Sequence, residues 1–190
     1  GENVERLTIA IGKYIVENFG YEKPILIGYD PRKSADEYAG FCANVLKAKG
    51  FEVYFSSRVV PTPVLAYNAK LRNACAIMFT ASHNPPEYLG IKFIPDYAGP
   101  ATSVITDELT KNLEKEFTQK AQGKVTQYDF APDYFKHIET LINFDKIKLF
   151  DKNIIFDGLY AASIGYFDRL LDRHEIKYNS LHMFHDTNFG

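Results

Sequence analysis

The run Ala74-Cys75-Ala76-Ile77-Met78-Phe79 is apolar at every position and stops at Thr80-Ala81-Ser82-His83-Asn84-Pro85. A continuous apolar run of this length reads as a central strand. The polar hexapeptide therefore leaves the carboxyl end of a strand, where open α/β sheets place their chemistry. A hydroxyl, an imidazole and a carboxamide are offered together at that edge. The same residues also close turns and tolerate unusual backbone angles, so the tripeptide Ser-His-Asn by itself favours a structural loop.

The rest of the chain alternates strand-like runs with helical periods, which argues for α/β layering. Over 4–18, Val4, Leu7, Ile11 and Ile15 recur at helical spacing, with Phe19 following and Gly20 ending the pattern. A strand is expected over 24–29, leading into Asp30. Ser34-Ala35-Asp36-Glu37 reads as a capping box. The helix it opens should bury Tyr38, Cys42, Val45 and Leu46 and stop at Gly50. Strands are expected over 52–55 and 91–94. Thr62 should cap a helix with Pro63 at its first position, and Thr106 should open another with Asp107 and Glu108 in its positive first turn.

Between about 122 and 132 the chain turns polar, carries Gly123 and shows no clear period. A domain boundary is expected there, dividing the chain into 1–128 and 129–190. The second part reads as an entry helix over 133–141, a strand over 153–157, a helix over 164–171 and a strand over 177–184. At about sixty residues it is short for an independent core.

Composition narrows the function. Apolar residues make up 46% of the 190 and the net charge is −2. A substantial core follows, and electrostatics give no reason to propose nucleic acid or an anionic membrane as partner. No apolar run reaches the length of a membrane span, and no signal-peptide pattern opens the chain. Cys42 and Cys75 lie in apolar stretches without metal-ligand spacing, so buried free thiols and a reducing cytoplasm are expected. His174, His182 and His185 show no chelating pattern, and Asp157 before Gly158 reads as a turn. There is no nucleophile elbow, no glycine-rich nucleotide loop and no cysteine metal cluster.

The hexapeptide, followed by Gly90-Ile91-Lys92, resembles the phosphoserine loop of the α-D-phosphohexomutases, the superfamily of phosphoglucomutase, phosphomannomutase and phosphoglucosamine mutase. Gly28-Tyr29-Asp30-Pro31-Arg32-Lys33-Ser34, Pro61-Thr62-Pro63 and Gly99-Pro100-Ala101 match the same family in the same order. Asp186-Thr187-Asn188-Phe189-Gly190 is similar to the segment shortly before the family's metal loop. One departure is Leu89, where the family usually has asparagine before the glycine. The resemblance implies a layered α/β domain with a mixed, mainly parallel sheet, followed by the first half of a second similar α/β domain. It further implies that the chain is a fragment, lacking the usual opening strand and ending before the aspartate-rich metal loop. Self-association through the sheet edge left by that missing strand is therefore expected.

By the same resemblance Ser82 is the phosphoryl carrier. A phosphoserine donates to one hydroxyl of a hexose phosphate, giving a bisphosphate, and the turned sugar returns its other phosphate. Such transfer needs positioning and charge neutralisation above all. Arg32 is expected on the same sheet edge, facing phosphate, and Lys92 beside it as acid-base partner or neutralising charge. Neither is expected in the core. His83 shares proton transfer or orients the loop. Mg²⁺ is the implied cofactor, bound through the Ser82 phosphate and aspartates beyond Gly190. The expected function is interconversion of hexose 1- and 6-phosphates by the full-length enzyme, with this chain alone inactive. The alternatives are phosphoglucosamine mutase, a serine-dependent phosphatase or hydrolase, and a silent sugar-phosphate-binding module.

Overall fold

Two strands carry the architecture, because nearly all their residues are buried. These are β1 (Ile25–Tyr29) and β3 (Cys75–Phe79) in a computed structural model that describes residues 1–115, 117 and 122–190. They lie side by side and parallel, with Ile25 opposite Cys75 and Tyr29 opposite Phe79. On the far side of β1 comes β2 (Glu52–Ser56), then β5 (Lys124–Tyr128), both parallel to their neighbours. Beyond β3 lies β4 (Ile91–Ile94), antiparallel, giving the order β4-β3-β1-β2-β5. The mixed, mainly parallel sheet read from the sequence is thus present.

Strand alternation sends successive side chains to opposite faces, and each face has its own core. Ile25, Ile27, Cys75, Ile77 and Phe79 pack with residues of α1 (Glu2–Phe19), α2 (Ala35–Ala48) and α4 (Ser103–Asn112). Leu26, Ala76 and Met78 pack on the other face with α3 (Thr62–Leu71) and with residues of α5 (Ala131–Leu141) and α7 (Phe167–Arg173). Burying one such aliphatic side chain stabilises by about 1.5–3 kcal/mol. Gly28 lets α3 and the segment before it approach the central strand, since a Cβ there would meet Val60 Cγ1 at 2.5 Å and Leu65 Cδ2 at 3.0 Å.

Past residue 129, α5 is followed by α6 (Phe144–Lys148), β6 (Ile155–Asp157), α7 and β7 (Asn179–Leu181). The two strands form a parallel pair of their own. The β-α-β layout matches expectation, with shorter elements: Ile164 and Gly165 precede the helix, and the second strand ends at Leu181. Its helices do not stand apart from the first sheet, because Phe130, Phe135, Tyr166 and Leu170 belong to the same cluster as Leu26 and Val64.

Several local readings are corrected. Ser34 adopts φ 61° and makes no side-chain cap bond, so the capping box is not formed; an N-cap hydroxyl needs extended backbone to reach the first amides. In α2 the buried stripe is Ala39, Cys42, Ala43 and Leu46, whereas Tyr38 is exposed and Val45 only half-buried. Two alanines carry that face, and their small side chains gave a weaker signal than the tyrosine. Thr62 lies inside α3, with Pro61 as cap, and makes no cap bond. Thr106 sits one turn inside α4, where its hydroxyl donates to Ser103 O at 2.9 Å, a back-bond to the preceding turn. The polar stretch after 122 contains β5. No residue of that edge strand is fully buried, so no apolar run announces it. The short helix α6, opened by the Asn143 side chain accepting from Lys146 N at 3.1 Å, was also not anticipated.

Polar ties lock the α3 face. Arg72 Nη2 donates to Asp133 Oδ2 at 2.6 Å and Tyr128 donates to the same oxygen at 2.9 Å. Asn68, buried in α3, donates to Val64 O and to Phe130 O, both at 2.9 Å. The Arg72 hydrogen bond, reinforced by Tyr128, holds the Asp133 carboxyl below its ordinary 3.8. A depressed carboxylate contributes stability that is complete above its ordinary value and is lost as pH falls through the folded value. Asp133→Asn should therefore lower the melting temperature by a few degrees at pH 7, with the gap to the parent narrowing below pH 3.8 in thermal scans. Gly123→Ala should be more damaging, since its Cβ would lie 2.0 Å from Phe51 O, a backbone atom that cannot yield. The expected signature is a marked loss of thermal stability with β5 amides exchanging fastest by hydrogen–deuterium exchange.

Candidate active site

Parallel pairing of β1 and β3 puts Asp30 and Thr80 next to each other at the carboxyl end of the sheet, joined by Asp30 N–H to Phe79 O at 3.0 Å. Thr80 and Gly90 exchange two backbone hydrogen bonds, at 3.0 and 3.2 Å, which close the loop between them onto β4. Inside the loop, Asn84 N–H reaches Ala81 O and Tyr88 N–H reaches Pro85 O, each at 3.1 Å, making two successive turns. Ser82 is exposed and holds φ 57°, left-handed backbone that is uncommon outside glycine. Its Oγ stands 3.3 Å from His83 Nδ1.

A cavity of about 360 Å³ opens beside the serine, lined by Thr62, Thr80, Ser82, Asn84, Leu89 and Lys92 among others. Lys92 pairs with Met78 in the β3–β4 register and is exposed. The structure therefore brings Ser82, His83 and Lys92 to one corner of the sheet. Thr62, from the Pro-Thr-Pro motif, reaches it from the start of α3.

Arg32 is placed differently. It was expected outside the core, but its residue is only 4% exposed. Its guanidinium lies beneath the serine loop and all five of its N–H groups have acceptors. Nη1 donates to Pro85 O at 2.7 Å and Tyr88 O at 3.0 Å; Nη2 donates to Ser82 O at 3.0 Å and Asn84 O at 2.8 Å. Nε donates to Asp30 Oδ2 at 3.2 Å. That carboxylate also accepts from Arg32 N at 3.2 Å and from the Thr80 hydroxyl at 2.6 Å. Thr80 Oγ1 in turn accepts from Ser82 N at 3.0 Å. The ring of Phe189 lies 5.0 Å from Arg32 Cζ. Sequence reasoning singled out neither Asp30 nor Thr80 for a function, although both lie in quoted motifs. Phe189 left no signal beyond its own motif.

Among the described residues no group of three or more His, Cys, Asp or Glu side chains could hold a metal ion. Asp30, at the base of the serine loop, is already shared between Arg32 and Thr80. Ser82 could offer one hard oxygen once phosphorylated, a ligand type that suits magnesium. Farther off, Asp157 forms the expected turn, its Oδ1 accepting from Leu159 N at 2.9 Å and facing His182 Nδ1 at 2.9 Å. Those two contacts, the backbone one foremost, hold its carboxyl below the ordinary range.

The family model for phosphoglucomutase/phosphomannomutase, alpha/beta/alpha domain I, matches residues 1–120. The chain belongs to that family and carries its α/β/α domain I. A phosphoglucomutase of Staphylococcus aureus (strain bovine RF122 / ET3-1) is 31% identical over 184 residues, covering 88% of this chain and 32% of the relative. A phosphoglucosamine mutase of Francisella philomiragia is 28% identical over 183 residues, 95% of this chain and 41% of its own. A solved structure from Thermus thermophilus, titled as a proposed phosphomannomutase, superposes with a TM-score of 0.89 at 27% identity, over 98% of this chain and 43% of that one. The chain thus spans about a third to two fifths of the length of these relatives.

The two cysteines are free and buried, and burial pushes both thiols up to about 12. A thiolate is the reactive form, so neither is a nucleophile near neutral pH. The native protein at pH 8 should leave both unmodified by a thiol-specific reagent, and both should react at once in denaturant. Labelling of Cys75 in the native state would show β3 to be accessible.

Proposed function

We propose that this chain is the phosphoserine half of a phosphohexomutase active site, in a protein that interconverts hexose 1-phosphate and hexose 6-phosphate. The observation that carries the reading is Ser82, held exposed in left-handed backbone beside a cavity that it shares with Lys92. In transfer, the phosphorus–oxygen bond to Ser82 breaks as one forms to a sugar hydroxyl, and the hydroxyl proton leaves. Lys92 is the candidate either to take that proton or to neutralise charge on the phosphate; His83, beside Ser82 Oγ, shares the proton or orients the loop. Mg²⁺, held by the Ser82 phosphate and by aspartates beyond Gly190, would neutralise charge on the transferring oxygens. A phosphoglucosamine mutase of the same family is a second reading, supported by the Francisella relative.

We assign residues 1–128 to the serine-bearing domain and 129–190 to the start of a second. The proposed setting is the cytoplasm, supported by the two free thiols. Nucleic acid and membrane are not proposed as partners, and among the described residues no helix is long and apolar enough to cross a membrane. Self-association of the isolated chain is proposed, since Ile155, Leu181 and Phe184 of the second unit are exposed.

The test is Ser82→Ala in the full-length protein. Conversion of hexose 1-phosphate to 6-phosphate should fall by about a thousandfold or more, as expected for losing a covalent carrier. Intact mass should show one phosphoryl group on the parent and none on the variant. Activity within a few-fold of the parent would remove Ser82 from its role. Lys92→Ala should cost roughly ten- to thousandfold in turnover with little change in melting temperature. The isolated chain, given glucose 1-phosphate, Mg²⁺ and a trace of glucose 1,6-bisphosphate, should show no rate above blank, because remote binding energy is missing.

A further inference from the structure

We infer that Arg32 is a positioning residue: it shapes the Ser82 loop through the loop's backbone carbonyls and does not touch the transferring phosphoryl group. The inference rests on the proposed function of Ser82 and replaces the expectation of a phosphate-facing arginine. All five guanidinium N–H groups end on protein oxygens, four of them loop carbonyls, so none is free for a phosphate. The acceptors come from Ser82, Asn84, Pro85 and Tyr88, and so fix the loop on both sides of its two turns.

What the loop gains follows from peptide geometry. In a trans peptide the C=O and the following N–H point in opposite directions, and among the described residues no peptide bond is cis. Drawing the Ser82 and Tyr88 carbonyls down to Arg32 therefore turns the N–H groups of His83 and Leu89 up and away from it. The other two carbonyls precede Pro85 and Pro86, which have no N–H to leave unsatisfied. The arginine thus orders the loop as a surface with carbonyls inward and donors outward, suited to an anion above it.

Asp30 completes the brace. One carboxylate balances the buried guanidinium and holds Thr80, whose hydroxyl accepts the Ser82 N–H. Ser82 is consequently fixed at its own N–H and at its own C=O, which accounts for the φ of 57°. Phe189 covers the guanidinium from beyond the β6–β7 pair. Lysine cannot replace this arginine, because a point ammonium with three donors does not reproduce a planar five-donor fork.

The test uses Arg32→Lys, Thr80→Val and the double variant of the full-length protein. Arg32→Lys should lower kcat by about a hundredfold, the cost of a misplacement near one ångström. KM for hexose 1-phosphate should stay within about threefold of the parent. Thr80→Val removes no charge yet should lower kcat by about tenfold, and the double variant should match Arg32→Lys alone, because both changes release one network. Amide exchange at Asn84 and Tyr88 should rise at least about tenfold in each variant while the β1 and β3 amides keep parental protection. A raised KM in Arg32→Lys, a parental Thr80→Val, or multiplying effects would overturn the inference and restore direct phosphate contact. If the parent itself carries no phosphoserine and converts nothing, the functional reading fails separately. The exchange data still decide the brace: loop amides unaltered in Arg32→Lys would refute it.

Discussion

Tyr29 stands opposite Phe79 in a parallel register that neither strand can leave, because both are buried against helices on the two faces of the sheet. A slip of one residue would exchange the two faces, moving Ile25 and Ile27 into the place of Leu26. That register makes Asp30 and Thr80 emerge side by side, and everything at the carboxyl edge is built from their contact. Parallel order also gathers the ends of β1 and β3 at one edge, while the antiparallel β4 returns Gly90 and Lys92 to it.

The energetics of that edge turn on one buried cation. Desolvating a guanidinium costs several kcal/mol, and a single carboxylate seldom offsets it unless every remaining donor also finds an acceptor. Here the carbonyls of the serine loop are those acceptors, so burial of the charge is offset only while the loop keeps its shape. Loop order and charge burial are therefore one equilibrium. Functional loops carried on a rigid scaffold usually belong to the less stable parts of a protein; this one is tied from beneath while its serine faces water.

The same arrangement separates two kinds of positive charge. Arg32 is buried and saturated, whereas Lys92 is exposed and lines the cavity beside Ser82. One acts on backbone, the other is free to meet an anion. Family membership and the serine loop support the proposed phosphoryl transfer, and this division of labour leaves Ser82 held at its backbone N–H with its hydroxyl facing solvent.

Residue order alone was enough for the layering, a central strand within 74–79, the serine loop at its end and the family, because apolar runs and a dense local motif are short-range signals. It misled at α2, where Ala39 and Ala43 carry the buried face, and it hid β5, whose residues are nowhere fully buried. The place of Arg32 was settled by the folded chain and by nothing shorter in range. Its carbonyl acceptors at Pro85 and Tyr88 lie more than fifty residues away, and backbone acceptors leave no mark on residue type. An arginine before a loop looks the same in sequence whether its fork meets phosphate or carbonyls. Only the register that lays β1 against β3, and so brings the loop over Asp30, distinguishes the two.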